Sequence, residues 1–252
     1  MPPTNTPAIE DWMEEKDGGS KPEQLLSAWA TSRAKRIFDV VLVLVFAPAL
    51  VPLLLTIVLV IFMSSGTPIL FRQTRIGRGG LPFTIYKFRT MCLTQPTNES
   101  TIAALSPGQI IPPGRVLRRL KLDELPQVFN VLTGKMSLVG PRPKIPEQQL
   151  ATLSCRPGLT GTATLAFARE DALFARIPRE RLADYYRTVV LPIKREIDTE
   201  YMARASLLSD LRILFNTVTG RWGYVTKAVS SKVSEIRPPS FHSDAYGAQS
   251  LE

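Results

Sequence analysis

Between Val40 and Met63 the chain reads VVLVLVFAPALVPLLLTIVLVIFM, a run without a charged residue. As a helix, 24 such positions suffice to cross a hydrocarbon core about 30 Å thick. A core helix of a soluble protein carries a polar stripe, and this run is apolar on every side. A cleaved leader fits poorly, because the run starts late and exceeds the usual apolar stretch of about 7–15 residues. The reading is a membrane-embedded segment. Pro48 and Pro52 fall inside it. Each removes a backbone donor and crowds the preceding turn, so a bend is expected. Arg33, Lys35 and Arg36 precede the run, and Arg72, Arg75 and Arg78 follow it. With both flanks basic, the positive-inside rule gives no orientation. A straight span leaves one flank outside. A helix–break–helix that dips in and returns keeps both on the cytoplasmic side, where anionic lipid attracts them. The charge symmetry favours the dip.

Outward from this segment, the 252 residues carry 31 Lys and Arg against 22 Asp and Glu, a formal net charge of +9. The length suits one globular domain with an appendage, and 44% hydrophobic content is too high for a disordered chain. Residues 64–252 hold 26 bases and 15 acids. A basic domain on a membrane anchor suits an anionic partner: lipid headgroups, nucleotide phosphates or nucleic acid. The single histidine, His242, lies in a polar tail, which argues against a Ser–His–Asp triad, a Cys–His pair or a His-ligated zinc. Cys92 and Cys155 have no CxxC spacing and fit a reducing compartment. Carboxylates, Lys, Arg and hard-oxygen metal ligation remain for chemistry.

The chain divides into a polar tail (1–32, with a short helix near 22–30), the membrane segment (33–64), a domain carrying the chemistry (65–225) and a polar tail (226–252). PILFR (68–72) and PFTIYKF (82–88) read as strands joined by the turn GRGG at 77–80. Residues 92–113 read as a mobile loop. Residues 114–121 read as a basic helical turn, and Leu125–Leu132 as a helix stopped by Gly134. RPGLTG (156–161) reads as a turn cluster. Residues 178–218 read as helical, divided at Pro192. Their second half puts Leu207, Leu208, Leu211, Leu214 and Phe215 on one face. Core packing is preferred for that face over a membrane-surface helix.

The densest chemical signal is RVLRRLKLDELPQVFNVLTGKMSLVGPRP, residues 115–143. Helix capping accounts for adjacent Asp123 and Glu124 on local grounds. The neighbourhood of Arg115, Arg118, Arg119, Lys121, Lys135 and Arg142 shifts the balance, because arginines in such number also bind phosphates. Neighbouring helical positions point about 100° apart, so the two acids have different jobs. Lys87 and Arg89 in YKFRTM share strand parity and can face one side; an exposed basic strand edge is the alternative. Arg142, between Pro141 and Pro143, suits an anion clamp or a rigid exposed turn.

The succession KRIFD (35–39), the apolar run, PILFRQ (68–73), KFRTM (87–91), LDELPQVFNVL (122–132), MSLVGPRP (136–143) and RPGLTG (156–161) resembles the bacterial sugar transferase family, the small monotopic polyprenyl-phosphate phosphoglycosyl transferases. The resemblance covers residues 33–220. It implies an α+β fold: a mainly helical compact catalytic domain with a small β-hairpin, anchored by a re-entrant, proline-broken membrane helix and interfacial helices. Larger relatives carry an extra multi-span N-terminal region, and this chain looks like the minimal catalytic form. The resemblance also implies transfer of a sugar-1-phosphate from a UDP-sugar to undecaprenyl phosphate, with UMP released, to initiate bacterial surface glycan synthesis. Asp123 would be the nucleophile and Glu124 the second acid, the two holding Mg²⁺ or, for Glu124, handling a proton. Lys87, Arg89, Arg118 and Arg142 would grip phosphate, and Pro48 and Pro52 would mark the membrane break. Expected partners are the donor, the acceptor and the bilayer of the inner membrane at its cytoplasmic face, with no nucleic acid and with a homodimer left open.

Three departures stand out: Ala47-Pro48 where the family has Ser-Pro, Lys121 where Ser or Thr is usual, and TATLAFARED where many relatives run to Asn-Gly-Arg. The last leaves the sugar open. The competing readings are a non-enzymatic basic membrane-anchored binding protein and a transferase that moves the sugar alone. No aromatic–basic interleaving of a nucleic-acid module is present.

Overall fold

The computed structural model describes residues 26–92, 110–146, 153–168, 174 and 177–220. Helix α1 spans Ala28–Thr31, capped by the Ser27 hydroxyl, which accepts from the Ala30 amide. Helix α2, Arg33–Ser65, starts where Ser32 accepts from the Lys35 amide. Its 33 residues would measure about 50 Å if straight. Pro48 and Pro52 lie inside it, and the helical backbone continues through both. Proline's fixed φ suits a helix; what it removes is the donor to the carbonyl four residues back. Bonds on either side keep the helix, and the Thr56 hydroxyl donates to the Pro52 carbonyl at 2.9 Å. Both ends of α2 bury side chains, Lys35, Asp39 and Val43 at one and Ile57 and Ile61 at the other. Leu44, Val45, Phe46, Val51 and Leu55 between them are exposed.

Strands β1 (Leu70–Ile76) and β2 (Pro82–Phe88) pair antiparallel, Leu70 opposite Phe88 and Ile76 opposite Pro82. β1 thus runs past the expected 68–72, because the reversal begins only at Gly77, whose amide donates to the Leu81 carbonyl at 2.8 Å. Gly79 and Gly80 take left-handed φ values of 71° and 80° in that turn. Phe83, Ile85 and Phe88 of β2 are buried.

Helix α3 (Gly114–Arg119) follows, then a 3-10 helix (Leu122–Gln127) and α4 (Val128–Leu132), where one helix from Leu125 was expected. Gly134, at φ 80°, ends it as anticipated. The turn cluster at 156–161 instead contains a strand: β4 (Gly158–Thr160) pairs parallel with β3 (Ser137–Val139). A Cβ on Gly158 would overlap the Gly140 backbone, so these glycines serve a close strand crossing that looks like turn composition in the sequence.

Helix α5 (Thr162–Ala166) leads to α6 (Arg179–Tyr185), a π-helical segment (Tyr186–Val190) and α7 (Leu191–Arg204). Pro192 lies just past the junction of the π-helical segment with α7 and does not divide the helical run as expected. The division comes later, at Ala205, before α8 (Leu207–Val218) and its Ser206–Ser209 capping box.

The core reading of α8 is overturned. Leu208 is 78% and Phe215 56% exposed, while Asp210, Ile213 and Asn216 are buried. Asp210 explains the inversion: it accepts from Lys35, from the Tyr201 hydroxyl at 2.6 Å and from Trp29 Nε1 at 2.8 Å. A buried carboxylate needs such partners, and supplying them turns Leu207, Leu208 and Leu211 outward while Leu214 stays partly buried against the core. One core lies under the hairpin around Val131, Met136 and Val139; another holds Phe167, Leu182 and Ile197; a third joins Ile57 and Ile61 to Phe88 and Leu117. The short helix expected at 22–30 is described only from residue 26, and residues 93–109 of the expected loop and the tail 226–252 lie outside the described residues.

Candidate active site

Leu120 ends α3, and Lys121 turns the chain with φ 57° and ψ 22°. This left-handed conformation costs an L-residue about 1–2 kcal/mol. Asp123 and Glu124 follow in the first turn of the 3-10 helix. At about three residues per turn, their side chains diverge by about 120°.

Glu124 meets two cations. Its Oε1 accepts from Lys87 Nζ at 2.8 Å and from Arg142 Nη2, and its Oε2 from Arg142 Nη1 at 2.9 Å. Lys87 comes from β2, on the same side as buried Phe83 and Ile85. Arg142 comes from the loop after β3, where proline on each side restricts the backbone. Burial alone would raise the Glu124 carboxyl; the charges and hydrogen bonds of Arg142 and Lys87 outweigh it and hold the group well below the usual carboxylate range. Burial also pulls the Lys87 ammonium down, against the opposing pull of Glu124.

Asp123 lives differently. Its Oδ1 is buried with no hydrogen-bond partner. Burial raises its pKa, the Glu124 charge raises it further, and Lys87, Lys121 and Arg118 only partly oppose this. One carboxylate is therefore saturated and firmly ionised, while the other is unsaturated and raised, the pattern by which adjacent acids take different roles. Arg118 gives its Nε to the Thr90 hydroxyl at 2.9 Å.

Arg89 is not in this group. It is 6% exposed, and its guanidinium donates to the carbonyls of Ser65, Gly66 and Thr67 at 2.6, 2.9 and 3.1 Å. It caps the C-terminus of α2 instead of facing the acids. The shared parity with Lys87 lost its force because β2 ends at Phe88. Arg36 does the reciprocal task, donating to the carbonyls of Val131 and Leu132 at the end of α4.

For a divalent cation, the described residues offer no cluster of three or more His, Cys, Asp or Glu. The orphaned Oδ1 of Asp123 is a fitting hard-oxygen ligand, and Mg²⁺ commonly uses one or two carboxylates plus substrate phosphates. Both oxygens of Glu124 are already taken by cations. Sequence reasoning missed Thr90 and also Asp198 on α7. Burial pushes the Asp198 carboxyl up to about 7, against the charges of Lys144, Lys194 and Arg142. Nothing in the charge pattern of 193–204 distinguishes Asp198 from a solvated helix acid.

A raised carboxyl with a partnerless Oδ1 thus lies among the charges of Lys87, Lys121 and Arg118, in a domain packed against both ends of a long apolar helix. Residues 30–222 match the family described as bacterial sugar transferase, and the chain belongs to that family. It is 38% identical over 200 residues to the UDP-glucose:undecaprenyl-phosphate glucose-1-phosphate transferase of Caulobacter vibrioides, covering 75% of this chain and 70% of that protein. It is 34% identical over 195 residues to the UDP-N-acetylgalactosamine-undecaprenyl-phosphate N-acetylgalactosaminephosphotransferase of Aeromonas hydrophila, covering 73% of this chain and 42% of that protein. It is 35% identical over 208 residues to the exopolysaccharide production protein ExoY of Sinorhizobium fredii, covering 73% and 84%.

Proposed function

We propose that this chain transfers a sugar-1-phosphate from a UDP-sugar to undecaprenyl phosphate, releasing UMP, as the initiating step of a surface glycan such as an exopolysaccharide. The observation that carries this reading is the buried Asp123 carboxyl, unpaired at Oδ1 and set among Lys87, Arg118 and Lys121. An Asp123 oxygen attacks the β-phosphorus of the donor; the bond to the UMP oxygen breaks, and UMP leaves with the electron pair. An oxygen of the acceptor phosphate then attacks the same phosphorus, and the Asp123 carboxylate leaves. Dividing the transfer in two is the logic of covalent catalysis. Lys87 and Arg142, fixed by Glu124, and Arg118, fixed by Thr90, supply preorganised positive charge. Glu124 serves by holding those cations; with its carboxyl so acidic it is a poor proton acceptor. Asp123 is the residue that would hold Mg²⁺, which when bound offsets the negative charge of the diphosphate. The relatives' names differ in their sugar, so the donor is assigned only as a UDP-sugar.

The site belongs at the cytoplasmic face of the inner membrane, with α2 dipping in and returning. Support comes from burial of both ends of α2 against the same domain, the exposed apolar middle, and the arginine caps that tie each end down. The outward leucines of α8 support its lying in the interface, as do exposed Val116 and Leu120 beside exposed Arg115 and Arg119.

Membranes containing the enzyme, incubated with UDP-sugars, Mg²⁺ and undecaprenyl phosphate, are expected to release UMP. UDP release would instead mean transfer of the sugar alone, and no release would return the protein to a binding role. Asp123→Asn is expected to abolish turnover with the fold intact, and mass spectrometry of enzyme with donor alone to find a phosphosugar on Asp123. Cysteines replacing exposed Ala34 and Arg72 are expected to be labelled from the same side; labelling from opposite sides would refute the dip.

A further inference from the structure

Six described residues have positive φ: Gly66, Gly79, Gly80, Gly134, Gly220 and Lys121. Among the described residues the chain uses glycine, which has no Cβ to clash, at every position of positive φ but one. The exception lies two residues before Asp123, and its side chain is exposed. Among the described residues no carboxylate or carbonyl takes the Lys121 ammonium, yet its charge acts on the Asp123 carboxyl. The charge inventory gives this meaning. Lys87 and Arg142 are matched by Glu124. Arg118 has only its Nε engaged, by a neutral hydroxyl. Among the described residues, Lys121 and Arg118 are therefore the cations near Asp123 whose charge no acid other than Asp123 answers, and an incoming diphosphate would answer it.

We propose that Lys121 is a phosphate-binding residue of this site, which holds the donor's diphosphate together with Arg118, and that its left-handed backbone sets the direction in which this side chain leaves the chain two residues before Asp123. The proposal rests on the reading of Asp123 as the reacting carboxylate and adds a residue whose charge no neutral side chain at this position could supply. A hydroxyl carries no charge, and a β-branched side chain is disfavoured at φ 57°.

The test uses the full chain in detergent or lipid particles. Lys121→Gly removes the side chain while easing the backbone, so the folded protein is expected to be retained. Lys121→Gln keeps the length and removes the charge, and Lys121→Arg keeps the charge. Loss of a charged hydrogen bond predicts a fall in kcat/KM of about 10- to 100-fold for Gly and Gln. It should appear mainly as a raised KM for the UDP-sugar with a weaker dependence on salt, while Arg stays within about threefold. UDP-sugar affinity by calorimetry in an Asp123→Asn background is expected to weaken in parallel. Gly and Gln enzymes within twofold of wild type in kcat/KM and affinity would overturn the proposal. So would a loss in Gly that Gln does not share, which would assign the position to packing. Turnover by Asp123→Asn alone would sink the covalent mechanism while leaving the donor-affinity result to judge Lys121.

Discussion

Replacing Glu124 by Gln keeps the shape of the side chain and removes the charge that holds Lys87 and Arg142. The carboxylate accepts three hydrogen bonds from these two cations. Breaking a fully buried pair by neutralising one partner costs about 3–5 kcal/mol, because the other charge is stranded. Here Lys87 is 19% and Arg142 37% exposed at the side chain, and solvent screens part of that cost. The expectation is about 2–4 kcal/mol of lost stability. At about 2–4 °C per kcal/mol for a chain of this size, Tm should fall by about 5–15 °C. Both cations lose their preset positions, so kcat/KM should fall at least about 100-fold, the order seen when a preorganised electrostatic donor is removed. Unfolding of purified enzyme followed by fluorescence reads the first quantity, and UMP release reads the second. Adding Lys87→Met to Glu124→Gln should cost less than the sum of the single changes by about 1–2 kcal/mol, since the pair is coupled. A carboxyl held below its unfolded value contributes stability above that value and loses it as pH falls through the folded one. The Tm gap between wild type and variant should therefore stay constant from about pH 6 to 8 and close only in strong acid. A Tm within about 1 °C of wild type together with additive double-mutant effects would refute the assignment of Glu124 as the anchor of the two cations.

Three other outcomes follow from the same geometry. Arg89→Ala strands three carbonyls at the end of α2 and should cost about 2–4 kcal/mol, yet leave the KM for the UDP-sugar in the remaining folded enzyme unchanged; a selective rise in KM would return Arg89 to phosphate binding. Asp198, with its carboxyl pushed up to about 7, contributes stability that is full below the unfolded value and lost as pH rises through the folded one. Asp198→Asn should thus raise Tm relative to wild type more at pH 8 than at pH 5, about one unit to either side of that value or beyond, and an equal effect at both would contradict the shift. In the proposed reaction Asp123 attacks in its ionised form, and its carboxyl is raised, so kcat/KM should decline on acidification at a pH above the ordinary aspartate range of about 3.9; a profile flat down to that range would remove the raised carboxyl from the rate-limiting chemistry.

The long apolar run, the β-hairpin, the basic turn before the acids and the helical last third were all legible in the sequence, because each is announced by residues within one or two turns of one another. The pairing of acids with cations was legible only as a crowd. Asp123 and Glu124 were expected to share a metal, and nothing in LDELP tells which of them Arg142 and Lys87 will occupy. β4 was missed because Gly158 serves a close crossing with Gly140, 18 positions away, and glycine looks the same in a turn and in a crossing. The face of α8 was misjudged because Leu spacing identifies an apolar stripe without saying what covers it.

Local chemistry in the chain itself thus determined that a lipid-suited helix precedes a cationic centre around two adjacent carboxylates, since hydrophobic length and charge density survive any folding. Tertiary structure alone decided that Lys87 reaches Glu124 while Arg89, two residues on, caps the long apolar helix, and that Asp210 turns α8 inside out to meet Lys35. Those choices join residues 37, 24 and 175 positions apart. A charged side chain is equally content with water, a carbonyl or a carboxylate until the packing around it leaves only one within reach.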